Sequence, residues 1–259
     1  MSCLPKHGRV ECNRCFVKST PIFDQSREEC DGWRITSNPL AWGNQIPKMV
    51  VLGFSKGPTQ AGALTKKPHD QIAYKGSRLN VGKIMAHIGL IPLSPPEILK
   101  QKVDELISDP NGKFHFGSLI RCTVERYDEK VKKWKGSGGG MLDKFVTTKF
   151  GRLVTENCTK EYLATLPNST KLVLMFGLGT KQNYVKEAFK LYNNARPGQW
   201  NWINEISYTD QKIIVVHVEH FASQGALIPN WLGETHHERS RFGVMAQESV
   251  AKALGRRQF

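Results

Sequence analysis

The sequence predicts an α/β domain in which a mainly parallel sheet is covered on both faces by helices. Four short runs are apolar and rich in β-branched residues, without alternating polar positions, which is typical of strands buried on both faces. Helix-like segments lie between these runs, and 259 residues suffice to bury one large core. The predicted strands are 48–53, 114–121, 171–177 and 212–218.

The helices are predicted from the segments that separate and follow the strands. One of them starts after a Ser-Pro-Pro sequence, which is a frequent helix start. The predicted helices are 77–88, 97–107, 159–165, 182–193 and 235–254. We expect a single domain, residues 1–259, and no internal repeat.

Two regions lie outside this pattern. Residues 1–46 form an N-terminal extension that carries cysteines, and residues 123–157 form an insert rich in lysine and glycine. The insert is predicted to be a mobile basic loop that contacts nucleic acid, or alternatively a solvated hairpin or linker.

The charge balance favours a polyanionic partner. Lys and Arg number 37 against 23 Asp and Glu, a formal net charge of +14. Such a charge favours phosphate contacts, although a surface charged only for solubility is the alternative.

No apolar run reaches the ~18 residues of a membrane span. The N-terminus lacks the apolar core of a secretory signal, so we expect a cytoplasmic monomer with reduced cysteines.

Four cysteines are predicted to bind one buried metal centre. A C-x-x-C pair presents two sulfurs to one metal from a single turn, and two distant cysteines complete the set when the fold brings them close. The predicted ligands are Cys12, Cys15, Cys122 and Cys158. Cys3 or Cys30 is the alternative for one of them, and scattered buried thiols without a metal are the simpler alternative.

Candidate binding residues follow the predicted strands, because ligands of open α/β sheets bind at the carboxyl ends of strands. A glycine-bearing turn from Gly53 to Gly57 follows the first strand and lets a ligand approach the backbone. The second strand carries Ser118 shortly before Cys122, the third ends at Gly177 and is followed by Gly179, and His220 follows the fourth. These residues are predicted to form one pocket.

Seven short motifs occur in a fixed order along nearly the whole chain. They are Cys12-Asn13-Arg14-Cys15, Gly53-Phe54-Ser55-Lys56-Gly57, Tyr74-Lys75-Gly76, Ile120-Arg121-Cys122, Cys158-Thr159-Lys160-Glu161-Tyr162-Leu163, Leu174-Met175-Phe176-Gly177 and His220-Phe221-Ala222. In this order and strand context the chain resembles the uracil-DNA glycosylase superfamily, most closely its iron–sulfur branch.

The resemblance implies a three-layer α/β/α sandwich with a central four-stranded, mainly parallel sheet. It also implies a [4Fe–4S] cluster on the four predicted cysteine ligands, with a structural role. On spacing alone a structural zinc ion fits these cysteines equally well.

The activity that the resemblance implies is removal of uracil from DNA, by eversion of the nucleotide and hydrolysis of its N-glycosidic bond. Tyr74 would stack on the base, or else be an ordinary core aromatic, and His220 would donate a hydrogen bond to uracil O2 from a neutral imidazole. Gly53, Phe54 and Gly57 would line the pocket.

The chain departs from the family pattern at three positions. Phe54 and Ser55 stand where relatives carry an acidic or amide residue, so Ser55 is left to hold the attacking water. Ser118 replaces the base-reading Asn, and Phe221 replaces a Pro. Substitutes for the missing carboxylate are Thr59, Gln60 and Asp70, and candidates for a minor-groove wedge are Ser223, Gln224 and Leu227.

These departures leave two alternatives open. The enzyme would excise another deaminated base, such as hypoxanthine or xanthine, or the protein would be a non-catalytic, metal-stapled nucleic-acid-binding protein.

Overall fold

The computed structural model describes residues 2–136, 141–223 and 225–256. Its strands are β1 (Gly8–Arg9), β2 (Arg27–Cys30), β3 (Trp33–Thr36), β4 (Leu40–Gly43), β5 (Met49–Gly53), β6 (Phe114–Ser118), β7 (Thr123–Asp128), β8 (Lys133–Gly136), β9 (Leu172–Phe176), β10 (Asn201–Asn204), β11 (Ser207–Thr209) and β12 (Ile214–Val218). Its α-helices are α1 (Pro58–Ala61), α2 (Arg78–His87), α3 (Pro96–Ser108), α4 (Met141–Val146), α5 (Lys149–Tyr162), α6 (Asn183–Ala195), α7 (Leu227–Leu232) and α8 (Ser240–Ala253).

The main sheet has the strand order β1-β4-β6-β5-β9-β12-β11-β10. Its centre is parallel, because β5 pairs in parallel with both β6 and β9, and β9 pairs in parallel with β12. These four strands are the predicted ones. The α/β class is therefore confirmed, but the sheet has eight strands rather than four, since antiparallel strands extend it at both edges.

The central strands lie in the core. Every residue of β5, β9 and β12 is buried, which requires cover on both faces of the sheet. The helices pack in two groups: α2 contacts α3 and α7, and α7 contacts α8, whereas α4, α5 and α6 contact one another. Helix α8 also packs on β12.

A second, antiparallel sheet of β2, β3, β7 and β8 is built from the N-terminal extension and the insert. In the described part of the insert, β7 and β8 form a hairpin and α4 follows; Ser137 to Gly140 lie outside the described residues. The insert reaches the turn after β5. Gly136 lies so close to Pro58 that a Cβ there would approach the proline ring to 2.5 Å, and the buried Phe145 packs edge-on against Phe54.

Two helix predictions need correction. The helix predicted at 159–165 begins at Lys149 and ends at Tyr162. Its buried residues Val154, Cys158 and Tyr162 recur every fourth position on one face, and Thr148 caps its start by accepting a hydrogen bond from Gly151 N–H. The helix predicted at 235–254 begins at Ser240, and α7 precedes it. No described helix is long and apolar enough to span a membrane.

Candidate functional site

The carboxyl ends of β5 and β6 lie side by side. Gly53 pairs in register with Ser118, which is half-buried. Beyond the strands, Leu119 N–H donates to Gly53 O at 2.8 Å and Ile120 N–H donates to Phe54 O at 2.9 Å. Lys56 Nζ then donates a hydrogen bond to the carbonyl of Arg121. The turn after β5 is therefore held along its length by the segment that leads to Cys122.

The position of the missing carboxylate is filled by an aromatic ring. Phe54 is buried, and its ring lies 6.4 Å from the ring centres of Phe145 and Tyr184 in edge-to-face contacts. Ser55 beside it is half-buried, and Gly57 precedes α1. The turn is thus apolar where a water-activating group would be expected.

His220 follows β12 at the same edge of the sheet. Its Nδ1 accepts a hydrogen bond from Ala222 N–H at 3.1 Å, so the neutral ring carries its proton on Nε2. Burial lowers the pKa of the imidazole below its ordinary value, with Glu219 acting in the opposite direction. His220 is therefore a neutral hydrogen-bond donor at neutral pH, and its tautomer is set by its own loop.

Glu219 organises that loop, and sequence reasoning missed it. This carboxylate is 2% exposed; it accepts hydrogen bonds from His220 N–H at 2.9 Å and from the Ser223 hydroxyl at 2.8 Å. Arg239 Nε pairs with its other oxygen at 2.6 Å. The signal that could have identified Glu219 is its position, an acidic residue directly after an apolar strand and directly before His220.

Tyr74 is buried, with a positive φ of 51° in the loop before α2. Its ring makes edge-to-face contacts with Phe176 at 5.6 Å and Phe221 at 4.9 Å, and Phe221 stacks on His220 at 4.4 Å. Burial raises the pKa of the Tyr74 hydroxyl. The structure therefore brings Tyr74 and His220 into contact with one aromatic ring, that of Phe221.

Gly177 brings the tip of β9 into the same group. Its φ is +120°, and a Cβ there would lie 3.3 Å from the ring of Tyr184 and 3.9 Å from His220 Cδ2. A side chain at this position would crowd the Tyr184 ring, and the positive φ favours glycine. The tips of β5, β9 and β12 thus meet around Phe54, Tyr184 and His220.

Other polar residues near these strand ends have structural partners. His217, on β12, lies in the core and is hydrogen-bonded to Tyr208 Oη and Gly177 O, and burial lowers its pKa to about 4. Asp70 Oδ1 lies 2.8 Å from His7 Nε2.

Gln60 Oε1 accepts a hydrogen bond from Gly57 N–H, so it caps α1. Thr59 is exposed on that helix. Among the wedge candidates, Ser223 is bound to Glu219, Leu227 is exposed at the start of α7, and Gln224 lies outside the described residues.

The four predicted cysteine ligands line one cavity. Three parts of the chain form its walls: the N-terminal extension, the segment before β7, and α5. Cys122 and Cys158 are buried, Cys12 and Cys15 are half-buried, and Cys3 and Cys30 are exposed. The cavity walls are otherwise formed largely by apolar side chains, with Arg14, Arg121 and Asn157 among the polar ones.

Cys15 has a hydrogen-bond donor on α5, because Asn157 Nδ2 donates to Cys15 Sγ at 3.4 Å. Tyr162, at the end of the same helix, lines the cavity together with the cysteines. A donor placed on sulfur stabilises a thiolate, which is the form of cysteine that binds metals.

Two buried cations flank the sulfurs. Lys56 and Arg121 are each 2% exposed, and no described carboxylate pairs with either of them within 4.0 Å. Burial lowers the pKa of Lys56 to about 8, so the ammonium stays mostly charged at neutral pH. Burial also raises the pKa of Cys122, to about 11.

Among the described residues, only His7, His69 and Asp70 bring three possible ligand atoms within 4.8 Å of one another, so no three cysteine sulfurs are that close. A tetrahedral zinc ion with bonds of about 2.3 Å requires sulfurs roughly 3.8 Å apart. The described cysteines are therefore not arranged as a closed zinc site.

The His7, His69 and Asp70 group offers ligand atoms that could hold a metal ion. However, His7 Nδ1 accepts a hydrogen bond from Gly43 N–H at 3.2 Å, so its proton sits on Nε2 and faces Asp70. His69 Nε2 lies 2.9 Å from Ala41 O. The group is therefore satisfied as a hydrogen-bonded link between the N-terminus and the loop before α2.

Comparison with known proteins identifies no relative of this chain whose site residues could be compared with these. No family model matches the chain, and a search of curated proteins finds no significant match.

Proposed function

We propose that the protein is a DNA glycosylase that everts and excises uracil from DNA, with the three-layer fold of the uracil-DNA glycosylase superfamily. The parallel strand order β6-β5-β9-β12 and the two groups of helices support this fold. The function depends mainly on one observation: a half-buried, neutral His220 whose loop keeps the ring proton on Nε2, close to Gly177 at the tip of β9.

His220 acts on the leaving group. Cleavage of the bond between C1′ of the sugar and N1 of uracil leaves the electron pair on the base, where charge develops on O2. A fixed donor such as Nε2–H stabilises that charge, and it is worth most in a site that excludes water. Glu219 and the Ala222 N–H hold the ring in place and so supply preorganisation.

The sugar cation is left to react with water. Phe54 offers no carboxylate to position that water, so the reaction proceeds by a dissociative route in which leaving-group stabilisation carries most of the rate. The water adds hydroxide to C1′ and its proton neutralises the uracil anion. Ser55 is the residue of the turn that would hold this water.

A metal centre on Cys12, Cys15, Cys122 and Cys158 fits the cavity chemistry. Four cysteines around one cavity with largely apolar walls suit a buried thiolate site, and the resemblance to the iron–sulfur branch favours a [4Fe–4S] cluster over zinc. The group would supply a structural link between the N-terminal extension and the domain. The net charge of +14 supports DNA as the partner.

Ser118 and Tyr74 would recognise the base. The serine hydroxyl beside Gly53 supplies one donor and one acceptor, so excision of hypoxanthine or xanthine is an outcome to test. The buried Phe54 favours one second candidate, a metal-stapled protein that binds DNA without cleaving it.

The test uses labelled oligonucleotides, each carrying uracil, hypoxanthine, xanthine or no lesion, followed by alkaline cleavage of abasic sites. We expect cleavage of the uracil strand. Binding without abasic sites on any strand would support the non-catalytic candidate, and cleavage confined to hypoxanthine or xanthine would reassign the substrate. The visible absorption and iron content of the same sample distinguish an iron–sulfur cluster from zinc.

A further inference from the structure

Lys56 and Arg121 present an unusual charge pattern. Both side chains are almost completely buried, and neither pairs with a described carboxylate within 4.0 Å. Arg121 lines the cysteine cavity, and Lys56 is hydrogen-bonded to the Arg121 carbonyl. Asp24 exerts only a weak attraction on Lys56. Two buried cations without a counter-ion are costly, because ions lose their hydration on burial.

The contacts of these cations are directed to neutral groups. Lys56 Nζ donates to the Arg121 carbonyl, and the Arg121 guanidinium donates to His115 Nε2 at 3.2 Å and lies over the Tyr162 ring at 4.9 Å. Arg121 Nε is buried without a partner. Gly117 makes room for this arginine, because a Cβ there would collide with the guanidinium. Space for the Arg121 guanidinium therefore requires a glycine at position 117 in β6.

Cysteines, which can become anionic, lie close to these cations. Arg121 lines the same cavity as the four predicted ligands and directly precedes Cys122, and Lys56 is hydrogen-bonded to the Arg121 carbonyl. Four thiolates around a group of charge 2+, whether zinc or an oxidised [4Fe–4S] cluster, leave two negative charges. Two buried cations balance them.

We propose that Lys56 and Arg121 are the counter-charges of a dianionic four-thiolate metal centre, and that Lys56 couples this centre to the turn from Gly53 to Gly57. Lys56 belongs to that turn, and the same turn is held by Leu119 and Ile120 N–H groups directly before Arg121. Loss of the centre leaves the ammonium without an anion and loosens the turn. The inference rests on the proposed metal centre and not on glycosylase activity.

The test measures the rate at which the purified, metal-loaded protein loses its metal to excess EDTA. Lys56→Gln keeps a hydrogen-bond donor but removes the charge, and we expect metal loss at least about tenfold faster than in the wild type. Lys56→Arg keeps the charge and should stay within about threefold of the wild type. Lys66→Gln, at an exposed lysine, is the matched control and should change nothing.

Hydrogen exchange supplies the second readout. Loading with metal should slow exchange of the peptide that contains residues 53–57 in the wild type and much less so in Lys56→Gln. Equal metal loss in Lys56→Gln and the wild type, or protein that binds no metal, overturns the proposal. If neither Lys56 variant folds, Arg121→Gln against Arg121→Lys makes the same comparison. Neither experiment measures uracil excision, so the test of the counter-charges is independent of whether the protein is a glycosylase.

Discussion

The cysteine cavity and the strand-tip site share the stretch from Ser118 to Cys122 but are built differently. In the cavity, four cysteines from segments distant in sequence are brought together, and Asn157 donates to one of their sulfurs. At the strand tips, His220 is half-buried with its proton on Nε2, beside buried aromatic rings. The comparison separates two proposed tasks, a structural metal centre in the cavity and chemistry at His220.

Removal of one ligand should have the largest effect. We expect Cys158→Ala to lose its metal and about 4 kcal/mol or more of unfolding free energy, the stabilisation supplied by a ligand present at a thousand times its Kd. Metal analysis and denaturant unfolding measure this. Cys30→Ala, at an exposed cysteine, is the control and should retain both metal and stability. Equal stability of the two variants would contradict a structural centre.

Removal of the donor should affect chemistry alone. His220→Ala is expected to lower the single-turnover rate of uracil excision about 100-fold or more, as loss of a donor to a developing oxyanion does. Metal content and DNA affinity should change little. The control is His237→Ala at an exposed histidine, and a loss of less than threefold in His220→Ala would exclude the proposed role.

The pH dependence of excision should follow the protonation of His220. The ring must be neutral for Nδ1 to accept the Ala222 N–H, and burial lowers its pKa below the ordinary 6.5. The single-turnover rate should therefore stay level as pH falls to 6.5 and decrease only at a lower pH, where the imidazolium forms. His220→Ala should lack this acidic limb, and a rate that increases on acidification would contradict the neutral donor.

The smallest effect is expected at the base-reading position. Ser118→Asn restores an amide, which offers both a donor and an acceptor on a longer side chain. We expect the preference for uracil over hypoxanthine to increase about tenfold, since hydrogen bonds to the base carry such discrimination. Relative kcat/KM values on the two oligonucleotides measure it, and Thr59→Asn on the exposed face of α1 should leave the ratio unchanged.

The centre of the sheet was predictable and its edges were not. β5 and β9 are continuous apolar runs, and β12 is interrupted only by His217, so their burial could be read from sequence. The strands that extend the sheet are short, since β1 has two residues and β11 has three. In the second sheet, β2 is exposed at three of its four positions, so its residues resemble a loop. Pairing with β3 makes it a strand, and that partner is set by the tertiary fold.

The start of helix α5 was not predicted, because a glycine lies on its buried face. Gly151 interrupts its apolar face and predicts a loop, yet glycine is required there because a Cβ would collide with the Phe145 carbonyl. The four cysteines, which are distant in sequence, line one cavity, and that they bind a metal stays a prediction. Lys56 and Glu219 were missed as buried charges, because burial of a charged side chain depends on contacts that local sequence does not encode.

The N-terminal cysteine loop has a consequence for biosynthesis. Asn157 donates to the Arg14 carbonyl, and Arg14 forms an ion pair with Glu161, so this first segment docks on a helix made more than halfway along the chain. During translation the loop must wait, undocked and with its thiols accessible, until α5 has left the ribosome. Oxidation of the nascent chain is therefore a hazard specific to this interval, and it ends only when α5 closes over the loop.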